Sequence, residues 1–224
     1  MNSKLRYRAV LFDLDGTLVD SYSALADAVN YARRHHGLDD LPPARIREFV
    51  GDGLETLLQR AFERKDVPES VQAAFEKRYD EICCEQSRIL ADVDTTIHEL
   101  SSLGVAMAVC TNKTTAFSRK ILEFLRLAPY FRAIVGPDAA GARKPDPRHL
   151  LVTLESTGCA PSDALFVGDM PLDVETARNS GIASAVVPTG SASLERLRAA
   201  NPDHLLDRFA DLLNLVRNGA TAPR

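Results

Sequence analysis

The sequence predicts an α/β fold: a parallel sheet with helices on both faces, and a block of helices inserted after the first strand. Two observations predict it. Short apolar runs recur between segments of helical patterning, at "AVLF" (9–12), "VAMAVC" (105–110), "AIVG" (133–136), "ALFVG" (164–168) and "ASAVV" (183–187). Strands alternating with helices in this way build a parallel sheet. The runs are also unevenly spaced. Residues 18–93 contain no convincing strand, a stretch too long for a structureless loop in a compact domain.

Taken in order, the first run is a buried strand that leads straight into Asp13 and Asp15. Within the insert, Leu25, Ala28, Val29 and Ala32 form one helical stripe, and Val71, Phe75, Tyr79, Ile82 and Cys83 form another. "DDLPPA" (39–44) and "KDVPES" (65–70) break the region into separate helices. The chain is expected back at the sheet near Ala91, and "DTTIHELSSLG" (94–104) reads as the next core helix, ended by Gly104. "HLL" (204–206) offers an edge strand, and the tail "NGATAPR" (218–224) reads as frayed. The predicted organisation is a Rossmann-like α/β core of residues 1–18 and 93–224, with an all-helical cap of residues 19–92.

The 224 residues are enough for a sizeable core. A net charge of −4 without a basic stripe gives no nucleic-acid footprint. No apolar run approaches the roughly 20 residues that cross a membrane. "MNSKLRYRAV" at the start lacks the apolar stretch of a signal peptide, so a cytoplasmic protein is expected. The cysteines form no C-x-x-C pair and suit no zinc site. They read as free structural thiols, with Cys110 in a buried strand and Cys83 and Cys84 on or beside a helix. The histidines fall at no metal spacing, and His149 reads as a surface or packing residue.

The chemistry sits at the strand ends. After the first run come Asp13 and Asp15, and after "VAMAVC" come Thr111, Asn112 and Lys113. Beyond "AIVG" a loop carries Arg143 and Lys144 in "GARKPDP", and after "ALFVG" come Asp169 and Asp173. Ligands of open parallel sheets bind outside the carboxyl ends of the strands, so these groups converge on one edge. Like charges that close repel, and something must use them. Three or four carboxylates suit a hard divalent cation such as Mg²⁺. A hydroxyl, backbone N–H groups and a lysine suit phosphoryl oxygens, and a carboxylate beside a metal can act as a nucleophile. Each motif alone has a plainer reading. Asp15-Gly16 could be a turn, Thr111-Asn112 could cap a helix starting near Lys113, Lys144 could be a solvated loop charge, and Asp173 could complement a helix dipole. Four such coincidences at successive strand ends would have to hold independently.

These residues resemble the motifs of the haloacid dehalogenase superfamily, in its phosphatase branch. "DLDGT" (13–17) matches the first motif, Thr111 the second, Lys144 the third and "GDMPLD" (168–173) the fourth. The insert is similar to the small all-helical cap of that family. "VGDG" (50–53) before an apolar helix is most similar to its phosphoglycolate phosphatase group. The resemblance implies that Asp13 attacks phosphorus and that Asp15 protonates the leaving alcohol and then activates water. It implies Mg²⁺ on Asp13, on the Asp15 backbone carbonyl and on Asp169, with Asp173 in support. Thr111 and the Asn112 N–H would hold the transferring group, and Lys144 would offset its charge. Gly51 and Gly53 would bring backbone close to the substrate, with Arg45 and Arg47 as candidates for a substrate carboxylate.

The expected substrate is a small phosphorylated metabolite, with phosphoglycolate as the best single choice. The patterning assigns no oligomeric state. Three relatives on the same scaffold fit less well. A β-phosphoglucomutase-like phosphomutase carries a histidine in the first cap helix, where this chain has Leu25. A dehalogenase lacks an acid equivalent to Asp15, and a phosphonatase needs a lysine early in the cap, whereas none occurs from Gly16 to Arg64. A catalytically inactive binding protein on the scaffold would be expected to lose one of the acids, and all are present here.

Overall fold

Why do four short segments separated by over 150 residues of chain end at one place? The computed structural model, which describes residues 5–218, answers through register. In chain order the elements are β1 (Ala9–Phe12), β2 (Val19–Asp20), α1 (Tyr22–His35), α2 (Pro43–Arg47), α3 (Leu54–Phe62), α4 (Glu69–Ile82), β3 (Arg88–Ile89), α5 (Val93–Ser102), β4 (Ala106–Cys110) and α6 (Thr115–Phe124). They continue through β5 (Ile134–Val135), α7 (Pro137–Ala140), α8 (Pro147–Glu155), β6 (Ala164–Gly168), α9 (Pro171–Ser180), β7 (Ala183–Val186), α10 (Leu194–Ala199), β8 (His204–Leu205) and α11 (Leu212–Asn218). The main sheet has the order β5-β4-β1-β6-β7-β8, and every pairing in it is parallel. Phe12 lies opposite both Val109 and Val167. The next residues of β1, β4 and β6 therefore emerge side by side, and the Asp13 N–H still donates to Val167 O at 2.9 Å.

The strands are buried on both faces, as parallel strands flanked by crossover helices must be. Alternation assigns the faces. Val10 and Phe12 pack with Ile97 and Leu100 of α5, Ile121 and Leu122 of α6, and Leu212 and Val216 of α11. Ala9 and Leu11 pack on the other side against Leu150 and Leu154 of α8 and Ala177 of α9. The expected apolar runs form β1, β4, β5, β6 and β7, and "HLL" forms the edge strand β8. The expected frayed tail lies, from residue 219 onward, outside the described residues.

Helices α1–α4 occupy the insert. Leu25, Ala28, Val29 and Ala32 of α1 are all buried, as are Val71, Phe75, Tyr79 and Ile82 of α4. Arg78 clamps these two helices through a two-pronged bond to Asp27, at 3.0 Å on each side. One expectation is corrected here. The stretch 18–93 does contain strand: β2 and β3 pair antiparallel, Val19 with Ile89 and Asp20 with Arg88. These two strands form a sheet of their own, apart from the six-stranded one. Two residues per strand are too few to leave an alternating pattern in the sequence. Helix α6 begins at Thr115, near Lys113 as expected, with Thr114 at its N-cap. Asp138 Oδ1 accepts from the Thr115 N–H at 2.9 Å, so Thr111 and Asn112 are free of capping duty.

His149 is a packing residue. It is fully buried on α8, with Nε2 3.1 Å from Val135 O. Burial pushes its pKa down from 6.5 to about 4. The sign follows: the unfolded chain takes up this proton from about pH 6.5 downward, while the folded protein does so only near pH 4. Stability is therefore present above pH 6.5 and lost as pH falls toward 4, by roughly 3 kcal/mol. His149→Gln should lose less stability than wild type between pH 7 and pH 4 in urea titrations; equal acid sensitivity would remove His149 as its source. Among the described residues no helix is long and apolar enough to cross a membrane.

Candidate active site

Asp13, Lys144, Asp169 and Asp173 form one buried cluster. Lys144 comes from the loop before α8, joined to Pro145 by a cis peptide bond. Its Nζ donates to Asp173 Oδ1 at 2.7 Å and lies 2.9 Å from Asp13 Oδ1, without hydrogen-bond alignment to the latter. The Lys144 side chain is only 1% exposed. Asp173 stands in the first turn of α9, where Pro171 supplies the first helical residue. Its Oδ2 accepts from the Asp169 N–H at 3.2 Å and from the Met170 N–H at 3.0 Å. Thr17 Oγ1 donates to Asp169 Oδ1 at 2.9 Å.

The electrostatics are those of crowded acids. Burial raises the Asp13 pKa to about 6, with Lys144 pulling it back and Asp173 adding to the rise. Burial, and then the charges of Asp13 and Asp173, push Asp169 well above the usual carboxylate range. Burial works against the Lys144 ammonium, but Asp13 and Asp173 outweigh it and its pKa rises. Carboxylate oxygens of Asp13, Asp169 and Asp173 all lie within 4.8 Å of one another, a spacing that can hold a metal ion. Among the described residues Asp169 Oδ2 has no hydrogen-bond donor, and Asp13 Oδ1 has none in hydrogen-bond alignment, the Lys144 ammonium at 2.9 Å being its partner by charge. Asp173 is by contrast engaged by three donors. The donor set is all oxygen: Asp169 Oδ2 is unspent, and Asp13 Oδ1 is engaged only by the Lys144 charge. That fits a hard divalent cation held by these two, with Asp173 fixing their surroundings. Gly16, at φ +87°, closes the cluster from below: a Cβ there would lie 2.6 Å from both Asp169 Oδ2 and the Tyr22 hydroxyl.

Asn112 joins three segments. Its Oδ1 accepts from the Lys144 N–H at 2.9 Å, and its Nδ2 donates to Lys144 O at 3.3 Å and to Gly51 O at 3.1 Å. The Asn112 side chain thus positions the Lys144 backbone against Gly51. Thr111 Oγ1 accepts from the Lys113 N–H at 3.2 Å and lines a small cavity together with Asp13, Asp15, Gly51 and Gly53. Gly51 has φ +126°, and a Cβ on it would collide with Met170 Sδ. Gly53, at φ +92°, has more space, its nearest neighbour being Asn112 O at 3.6 Å. Gly51→Ala should accordingly reduce activity by at least tenfold in a folded protein, and more than Gly53→Ala does. Parallel kcat/KM measurements check this order; a reversed order would mean that contact with Met170 is unimportant.

Asp15 faces the insert. Its Oδ1 accepts from Lys113 Nζ at 2.7 Å and from Ser21 Oγ, and the same Nζ donates to the Tyr79 hydroxyl of α4 at 2.6 Å. The sequence places Lys113 among the polar residues after β4 but assigns it no role, and it does not place Tyr79 in the site. Tyr79 reads in sequence as part of an apolar stripe, which its ring does serve.

The expected substrate arginines are placed differently. Arg45 is exposed and paired with Glu48 at 2.6 Å. Arg47 lies over the Tyr22 ring at 4.0 Å and donates to Thr189 O and Gly190 O at 3.1 and 2.9 Å. Neither lines the cavity. Arg47 instead ties α2 to the loop after β7, whose Gly190 leaves no room for a Cβ against Asp169 Oδ2.

Comparison with known proteins agrees with this architecture. Residues 10–187 match the family model for haloacid dehalogenase-like hydrolases. A phosphoglycolate phosphatase of Aquifex aeolicus is 36% identical over 94% of this chain and 97% of its own length. One of Chromobacterium violaceum is 35% identical over 98% of this chain and its entire length. A crystal structure described as a predicted phosphoglycolate phosphatase from Haemophilus somnus superposes with a TM-score of 0.87 at 29% identity, over 94% of this chain and 98% of that one. With the matched region spanning the strand-end acids from Asp13 to Asp173, the chain belongs to the haloacid dehalogenase-like hydrolase family.

Proposed function

We propose that the protein is a Mg²⁺-dependent phosphomonoesterase acting on a small phosphorylated metabolite, with phosphoglycolate as its substrate. The observation that carries this reading is the buried pair Asp13 and Asp169 at the ends of adjacent strands, where Asp169 Oδ2 has no donor among the described residues and Asp13 Oδ1 faces only the buried Lys144 ammonium at 2.9 Å. Asp13, Asp169 and the Asp15 backbone carbonyl would hold Mg²⁺, which when bound supplies positive charge against the substrate phosphate.

The chain's own residues do the rest. Asp13 contributes a carboxylate oxygen that bonds to phosphorus as the bond from phosphorus to the ester oxygen breaks. Asp15 delivers a proton to the departing oxygen. It then takes one from the water that attacks the resulting aspartyl-phosphate, which frees phosphate and restores Asp13. Thr111 donates its hydroxyl to a phosphoryl oxygen, and Lys144 offsets the charge that builds beside Asp13. Residues 19–92 act as a lid whose closure excludes bulk water while the phosphoryl group passes to Asp13 and whose opening lets the alcohol leave and the attacking water enter. Two further features support the reading. Leu25 lines the cavity, so α1 offers no imidazole there for a mutase to use, and the cysteines are free thiols, as suits action in the cytoplasm.

Phosphate release from phosphoglycolate tests the reading. EDTA should abolish it and Mg²⁺ restore it, and Asp169→Asn should need at least tenfold more Mg²⁺ or fail entirely. Full activity after metal-free purification would overturn the proposal.

A further inference from the structure

Between α1, α3, α4 and the ends of β1 and β4 lies a cavity of about 60 Å³. Its walls are apolar on the side of the insert, where Leu25, Val50, Leu54, Leu57 and Phe75 contribute. The opposite wall carries Asp13, Asp15, Thr111 and Asn112. Among the described residues lining it there is one cation, Lys113.

Lys113 is costly where it stands. Its side chain is 8% exposed and that of its partner Asp15 is 13% exposed. Removing two charges from water costs several kcal/mol per ion, and a well-packed apolar pair in their place is often as stable or more so. Stability does not explain the pair. Lys113 is also held with care. Asp15 Oδ1 and the Tyr79 hydroxyl take two of its three N–H groups, at 2.7 and 2.6 Å. Tyr79 is itself fixed by stacking on Phe75 at 5.4 Å and by the edge of Phe117 at 5.1 Å. The third N–H has no partner among the described residues. The result is an ammonium, anchored from both the core and the insert, with one donor to spare in a low-dielectric wall. An anion gains most from such a donor.

We propose that Lys113 selects phosphate esters that carry a second anion, a carboxylate one to three carbons from the ester oxygen, by donating its remaining N–H to that carboxylate. The reach is right. If Asp15 stands one hydrogen bond from the ester oxygen, Lys113 Nζ is at most about 8 Å from that oxygen, two hydrogen bonds and the width of one carboxyl. The apolar remainder of the cavity has little to offer the hydroxyls of a sugar phosphate, so the same wall works against that class. The inference rests on the phosphatase reading and adds to it a specificity residue and the reason for it.

The experiment compares 2-phosphoglycolate with ethyl phosphate, which differ by a carboxylate against a methyl group. In wild type the ratio of their kcat/KM values should be about 30 to 100 or more, the worth of one buried charge-assisted hydrogen bond. In Lys113→Met the ratio should fall at least tenfold, chiefly through KM for phosphoglycolate, and Lys113→Arg should recover part of it. Calorimetric binding to Asp13→Asn protein should weaken by a similar factor for phosphoglycolate when Lys113→Met is added. A residue that merely pins the insert to the core would depress both esters equally, and an equal loss overturns the proposal. So does a wild-type ratio near one, which needs no variant and stands even if Lys113→Met fails to fold. That result would leave the phosphatase reading intact, whereas hydrolysis of neither ester would remove both.

Discussion

Asp13→Asn is expected to abolish turnover, by more than about 10⁴-fold, in a protein that still folds. An amide keeps the shape of the carboxyl but cannot form the bond to phosphorus. The same change tests the electrostatics of the cluster. With its pKa raised from 3.8 to about 6, Asp13 in the folded, metal-free protein keeps a proton that the unfolded chain has already lost. Its contribution to stability is therefore most favourable below pH 3.8, declines as pH rises to about 6, and is level above that. The difference amounts to roughly 3 kcal/mol. In EDTA, the asparagine variant should be more stable than wild type at pH 7.5, by up to that amount, and the advantage should shrink toward pH 4. Urea titrations at the two pH values measure it. Near wild-type kcat would exclude Asp13 as the nucleophile, and an advantage that ignored pH would exclude burial of its charge as the cause.

Lys144→Met should produce the largest combined effect on stability and activity. The ammonium stands 2.7 Å from Asp173 and 2.9 Å from Asp13, and Asp169 lies in the same cluster. Removing it leaves buried acids without their cation, a change that typically costs about 3–5 kcal/mol. The loss should be smaller at pH 5 than at pH 8, because the acids can then fold in their neutral form. It should also be smaller with saturating Mg²⁺ than in EDTA, since a bound cation replaces part of the missing charge and stabilises the state that binds it. Turnover should fall by about 10³-fold, the scale of losing a preorganised electrostatic group. Lys144→Arg keeps the charge but cannot fit its planar fork into a site that is 1% exposed. It should rescue stability better than activity. A methionine variant with unchanged stability at pH 8 in EDTA would contradict the pairing described above.

The sheet, and the edge of it where the acids gather, are legible in the sequence alone. β1 and β6 coincide with the apolar runs 9–12 and 164–168, because a strand buried on both faces must be apolar at every position. The acids that break those runs then fall at the carboxyl ends, and parallel pairing admits only one edge for them. The short ladder of β2 with β3 left no trace, since two-residue strands have no period to read. Which polar groups meet across the insert is a matter of long-range packing. Lys113 reaches Asp15 over 98 positions and Tyr79 over 34, Asn112 joins Gly51 to Lys144, and Arg47 crosses to the carbonyls of Thr189 and Gly190. Apolar periodicity records how much of a segment is buried, and a strand end records where a ligand can approach. The partner of a long charged side chain depends on how two packed layers are set against each other. That is fixed by the sum of many contacts, and no single stretch of residues contains it.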